Sequence, residues 1–111
     1  MSIPSSPPAS TKLPLPVLEA RAEEAAALLS SMANAKRLLV LCHLVEGERS
    51  VGDLAMLAGL SQSALSQHLG KMRLQGLVTT RREAQTIYYS LASHEVRAVL
   101  ETLYGIYCAP A

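Results

Sequence analysis

A chain of 111 residues is one domain, or one domain with a tail. Half its residues are hydrophobic, more than so small a monomer buries, so apolar surface is expected to be covered between subunits. A membrane span is excluded, because the strongest apolar run, Leu38 to Val45, is interrupted by His43 and falls far short of the ~18 residues required. The net charge of +1 gives no bulk attraction for nucleic acid, and the N-terminus has neither the basic nor the apolar region of a signal peptide. The chain reads as cytoplasmic, with no membrane partner.

Residues 1–16 hold five of the six prolines and several serines, and are predicted to be a disordered arm. Residues 17–108 form the folded domain, and residues 109–111 are a C-terminal tail. An Ala-, Leu- and Glu-rich helix is predicted over 17–32, with Leu18, Ala22, Ala25, Leu29 and Met32 on one stripe. It has too few large side chains for a central core helix and suits packing on a partner subunit. Asn34 caps the next helix, which runs to about Glu46 before Gly47. Leu38, Leu41, Cys42 and Val45 make its inner face, broadened by Leu39 and Leu44. Lys36 and Arg37, in its first turn, are either phosphate contacts or solvated cations.

Ser50 is the next N-cap, with Val51, Leu54, Ala55 and Ala58 at helical spacing behind it, and Gly59 stands where that helix must stop. Ser61 then caps a second short helix, whose buried side is Leu65, Leu69 and Met72 and whose end is Gly76. The opposite face carries Gln62, Ser63, Ser66, Gln67, Gly70, Lys71 and Arg73, with short polar groups first and cations later. That order suits a helix whose N-terminal half reads base edges while its far end meets phosphates. His68 borders the buried stripe, and either hydrogen-bonds a phosphate or is bonded inside the domain. The period then changes from helical to alternating: Ile87, Tyr89 and Leu91 share one strand face, and residues 77–80 pair with it. Arg81, Arg82, Glu83, Ala84 and Gln85 fall near the hairpin tip. Helix, turn, helix and basic-tipped hairpin make a winged helix-turn-helix, a mainly α fold with a small β-hairpin wing.

Charge distribution agrees with a DNA-facing surface. No Asp or Glu occurs between Leu54 and Arg82, while Lys71, Arg73, Arg81 and Arg82 all lie there. Ser93 caps a last helix bearing Val96, Val99, Leu100, Leu103 and Tyr107 on one face. A two-fold partner would cover that face and set two recognition helices against half-sites ~34–36 Å apart. The expected partner is therefore double-stranded DNA with an inverted-repeat operator, bound by a homodimer.

The segments Ala35-Lys36-Arg37-Leu38, Val51-Gly52-Asp53-Leu54-Ala55, Leu60 through Leu69, Leu74-Gln75-Gly76-Leu77-Val78 and Arg81-Arg82-Glu83 together make the chain resemble the ArsR/SmtB family of bacterial winged-helix repressors. The resemblance runs from about Met32 to Tyr107. It implies a homodimer joined by the first and last helices, and operator binding that an inducer abolishes. One departure is Ala84, where many relatives carry Gly at the wing tip. The family's thiolate site is absent, since Ser50 and Gly52 occupy its cysteine positions. Its last-helix site is missing too, because only His94 and Glu95 stand there and His43, His68 and His94 have no ligand spacing. No metal and no cofactor are expected. Scattered Ser, His and Asp, the lack of a Gly-rich phosphate loop, and two thiols without a base argue against an enzyme.

Cys42 lies mid-helix on an apolar face, where a small buried hydrophobe is the plain reading. Cys108 lies past the last apolar turn. The resemblance extends to the family's sulfide- and persulfide-responsive branch, which includes the biofilm-growth-associated repressors and carries one cysteine at each of these places. It implies that reactive sulfur species, linking Cys42 to Cys108 through a disulfide or polysulfide, release the protein from DNA. Two other readings stay open: the same repressor sensing general oxidants by a plain disulfide, and a non-catalytic winged-helix interaction module.

Overall fold

The computed structural model describes residues 14–108. Two short helices, α1 (Leu15–Ala20) and α2 (Ala22–Met32), lead into α3 (Ala35–Val45). A two-residue strand β1 (Arg49–Ser50) precedes α4 (Val51–Ala58) and α5 (Gln62–Leu74); β2 (Val78–Glu83), β3 (Thr86–Leu91) and α6 (His94–Tyr107) complete the order. The architecture is mainly helical with a small antiparallel sheet, as expected. Most of the predicted arm lies outside the described residues; its last positions, from Leu15, already belong to α1, which has proline in its first turn. The helix predicted over 17–32 is broken at Arg21, whose φ of −118° leaves the helical region.

Side-chain caps fix where the later helices start. Asn34 Oδ1 accepts from the Lys36 and Arg37 amides, and Ser50, Ser61 and Ser93 each accept from the amide three residues on. The helix ends are equally explicit. Gly59 (φ +67°) follows α4, with Leu60 N donating to Ala55 O at 2.9 Å and Gly59 N to Met56 O at 3.3 Å. Gly76 (φ +77°) repeats the arrangement after α5, through Leu77 N to Met72 O at 2.9 Å and Gly76 N to Arg73 O at 3.0 Å. Both are Schellman motifs, which need a left-handed residue where glycine carries no Cβ penalty.

The sheet order is β1-β3-β2. Arg49 pairs with Tyr89 and Ser50 with Tyr88, so β1 adds a third strand to the predicted hairpin. The hairpin is also longer than predicted. Arg81, Arg82 and Glu83 are strand residues opposite Tyr88, Ile87 and Thr86, and only Ala84 and Gln85 make the turn.

Leu41 and Leu44 of α3, Leu54 of α4, Leu65, Leu69 and Met72 of α5, and Val96 and Leu100 of α6 meet in one core, each at most 1% exposed. Full burial of such a side chain contributes roughly 1.5–3 kcal/mol, so this cluster holds the helix-turn-helix onto its neighbours. The inner face of α3 is rotated from the predicted one: Val40, Leu41 and Leu44 are buried, Leu38, Cys42 and Val45 half-buried, and Leu39 exposed. Apolar side chains remain uncovered on all six helices, among them Leu18, Leu29, Leu39, Met56, Leu74 and Ile106. Tyr107, predicted to face inward, is 80% exposed. Among the described residues no single helix is long and apolar enough to cross a membrane.

Candidate nucleic-acid interface and the two thiols

Helix α5 presents the face that its periodicity implies. Leu65, Leu69 and Met72 are sealed in the core, which turns Gln62, Ser63, Ser66, Gln67, Lys71 and Arg73 outward to solvent. Lys71 and Arg73 sit in the last turn, near the negative end of the helix dipole. Neither makes an ion pair among the described residues, so both charges are available to an external anion. Ser66, Gln67, Gly70, Lys71, Arg73 and Leu74 line a shallow open groove along this face.

The first turn of α3 mounts this unit. Lys36 Nζ donates to Ala58 O at 3.0 Å, satisfying a carbonyl at the end of α4, and lies 3.7 Å from where a Cβ on Gly59 would stand. Arg37 Nε donates to His68 Nδ1 at 3.2 Å. Both cations are therefore engaged within the domain, and His68 is bonded inside it, the second of its two sequence readings. Burial, then the charges of Arg37 and Lys71, hold the His68 pKa below the ordinary imidazole value.

On the wing, Arg81 and Arg82 point to different tasks. Arg81 donates through Nε and Nη2 to both carboxylate oxygens of Glu48, at 3.0 and 2.7 Å, and through Nη1 to Glu83. Its guanidinium also lies 4.7 Å over the Tyr88 ring. Hydrogen bonding to Arg81 holds the Glu48 carboxyl below its usual range. Arg82 is exposed and makes no ion pair among the described residues, and Gln85 is exposed in the turn. Sequence reasoning missed the Glu48 partner because it lies 33 positions away.

Cys42 is half-buried on α3, and Cys108 is exposed at the end of α6; both are free thiols. Tyr104 stands beside them. Cys108 N donates to Tyr104 O at 2.8 Å, one helical turn back. Hydrogen bonding to Cys42, then burial, pushes the Tyr104 phenol up to about 12, with Glu46 and Cys108 adding to it. Among the described residues no three His, Cys, Asp or Glu side chains gather as a metal site.

Comparison with known proteins then decides the family. The profile described as bacterial regulatory protein, arsR family, matches residues 34–80, which hold α3, α4, α5 and the start of the wing. The transcriptional activator HlyU of Vibrio cholerae is 52% identical over 91 residues, covering 82% of this chain and 84% of that protein. The chain belongs to the ArsR family. The biofilm growth-associated repressor of Agrobacterium fabrum is 46% identical over 99 residues, covering 89% of this chain and 85% of that protein. The crystal structure of the transcriptional repressor BigR from Xylella fastidiosa superposes with a TM-score of 0.83 at 41% identity, covering 88% of this chain and all of that one. This ArsR-family chain is thus a transcriptional regulator with a winged helix-turn-helix, not an enzyme.

Proposed function

We propose that this ArsR-family chain is a DNA-binding repressor that acts as a homodimer on an inverted-repeat operator. The observation that carries the reading is the exposed, acid-free face of α5, where Gln62, Ser63, Ser66 and Gln67 precede Lys71 and Arg73. The first four are base-reading candidates, and the cations, with Arg82 and Gln85 on the wing, meet the backbone. Uncovered apolar side chains on the first and last helices, such as Leu18 and Ile106, support a two-fold interface there.

Release follows from the thiols. Linking Cys42 to Cys108 through a disulfide or polysulfide withdraws two electrons and two protons, taken up by the oxidised sulfur donor. It ties α3 to the end of α6, changes the packing of the helices that join the subunits, and shifts the separation of the two recognition helices. A coupling of ~1–3 kcal/mol is enough for such a switch. Both thiols raise the Tyr104 phenol, one turn before Cys108, which supports a common site for them. The chain is read as cytoplasmic, where a reduced dithiol is the resting state.

Selection of duplexes from a random pool tests the DNA reading. The enriched sequences should be inverted repeats with half-sites about 10–10.5 bp apart, or a multiple of that spacing. A pool that enriches no two-fold sequence would overturn it and favour an interaction module.

A further inference from the structure

Arg37 is half-buried and bridges two helices from a third. Its Nε donates to His68 Nδ1 on α5 at 3.2 Å, and its Nη1 to the Ser31 carbonyl oxygen at the end of α2 at 3.2 Å. Ser31 is itself buried, and its hydroxyl donates to Leu28 O at 2.7 Å, so the far anchor is fixed. The near anchor dictates a protonation state. A ring nitrogen that accepts a hydrogen bond carries no proton, so the neutral imidazole holds its proton on Nε2. An imidazolium has no acceptor at all. It would face Arg37 donor against donor and cation against cation.

We infer that Arg37 is a positioning residue for operator recognition, holding α5 through a neutral, Nε2-protonated His68, and that protonating His68 opens this latch. The inference rests on the operator-binding reading above. His68 adjoins Gln67 and lies one turn before Lys71, so a shift at the latch moves the base-reading and phosphate-binding side chains together. The charged groups acting on the ring are Arg37 from α3 and Lys71 from α5 itself, both of which oppose its protonation, and burial acts in the same direction. A histidine serving as a phosphate contact would behave oppositely, gaining its proton on the DNA.

Two measurements on the full chain test this. Nitrogen–proton correlation spectra of the imidazoles should show His68 as the Nε2–H tautomer near neutral pH, and a tautomer mixture in Arg37→Ala. Titrations on the selected operator and a random duplex should show operator affinity falling about tenfold as pH drops through the His68 transition, without a matching fall on random duplex. His68→Ala should lose operator affinity at neutral pH. His68→Asn, whose Oδ1 accepts from Arg37 and does not titrate, should recover most of that loss and flatten the pH profile. Thermal melting identifies any unfolded variant, and Arg37→Met, which keeps the aliphatic stem and has no donor, then replaces Arg37→Ala. An Nδ1–H tautomer, operator affinity that rises at low pH, or His68→Asn no better than His68→Ala would each overturn the latch. A wild type with no preference for any duplex would instead defeat the operator reading on which it rests.

Discussion

Arg81 on β2 and Glu48 in the turn before β1 form a two-pronged ion pair, Nε to Oε2 at 3.0 Å and Nη2 to Oε1 at 2.7 Å. The planar guanidinium fork matches the carboxylate and fixes the wing's outer strand to the chain ahead of the helix-turn-helix. Glu83 takes a further Arg81 donor, so this cation is already compensated, while Arg82 beside it is not.

The two wing arginines should therefore separate in a salt titration. Arg82→Ala should lower the slope of log affinity against log salt by about one unit, the signature of one lost phosphate contact. Arg81→Ala should change the slope less. Equal slope losses would mean that Arg81 abandons Glu48 for the DNA, and an unchanged slope in Arg82→Ala would place Arg82 off the backbone.

Gln67 is exposed on α5 immediately before His68. If it makes a bidentate base contact, Gln67→Ala should cost roughly 1–3 kcal/mol on the operator and little on random duplex. Equal losses on both would remove it from the base-reading set.

Ala84 holds φ at +55° at the first position of the two-residue wing turn. An L-residue with a Cβ is strained there, and glycine is not. Ala84→Gly should stabilise the domain by up to about 1 kcal/mol, after allowing for the greater chain entropy glycine gives the unfolded state. Urea denaturation at constant slope reads the change; a lower midpoint would contradict it.

Lys36→Met keeps most of the aliphatic stem and removes the donor to Ala58 O. The loss should be about 1 kcal/mol, the net worth of one partly solvated hydrogen bond. A stability unchanged in urea would mean that water replaces the ammonium without cost.

His68 also gives stability a pH dependence of known sign. Its folded-state pKa lies below the ordinary value of 6.5, so the unfolded chain takes up the proton first as pH falls. Its contribution should be fully present above about 6.5 and lost progressively below it, towards the depressed folded value. In His68→Asn that part of the acid-side loss should disappear; an identical pH–stability curve would exclude His68 as its source.

The elements that were legible in the sequence are those marked by local chemistry. Asn34, Ser50, Ser61 and Ser93 cap helices where expected, and Gly59 and Gly76 end them, because each acts on backbone groups within a few residues. The Leu65–Leu69–Met72 stripe was equally legible, since the other face of α5 is polar. Helix α3 was not, because apolar residues surround it and periodicity does not choose among its faces. Strand β1 is too short to show alternation and owes its existence to Tyr88 and Tyr89, far along the chain. His68 and Glu48, which tether Arg37 and Arg81 across the fold, lie 31 and 33 positions away, so the sequence does not show these long-range ties.

The thiol switch is tested most directly by release from the selected operator under a polysulfide donor, in wild type, Cys42→Ser and Cys108→Ser. Mass spectrometry of the released wild type counts the sulfur atoms between the cysteines. All three reduced proteins should bind the operator. Wild type should dissociate with Cys42 and Cys108 joined, and each single variant should stay bound. Normal release of either variant would contradict a two-thiol switch, and release of wild type by peroxide alone, with no added sulfur, would make its trigger a general oxidant.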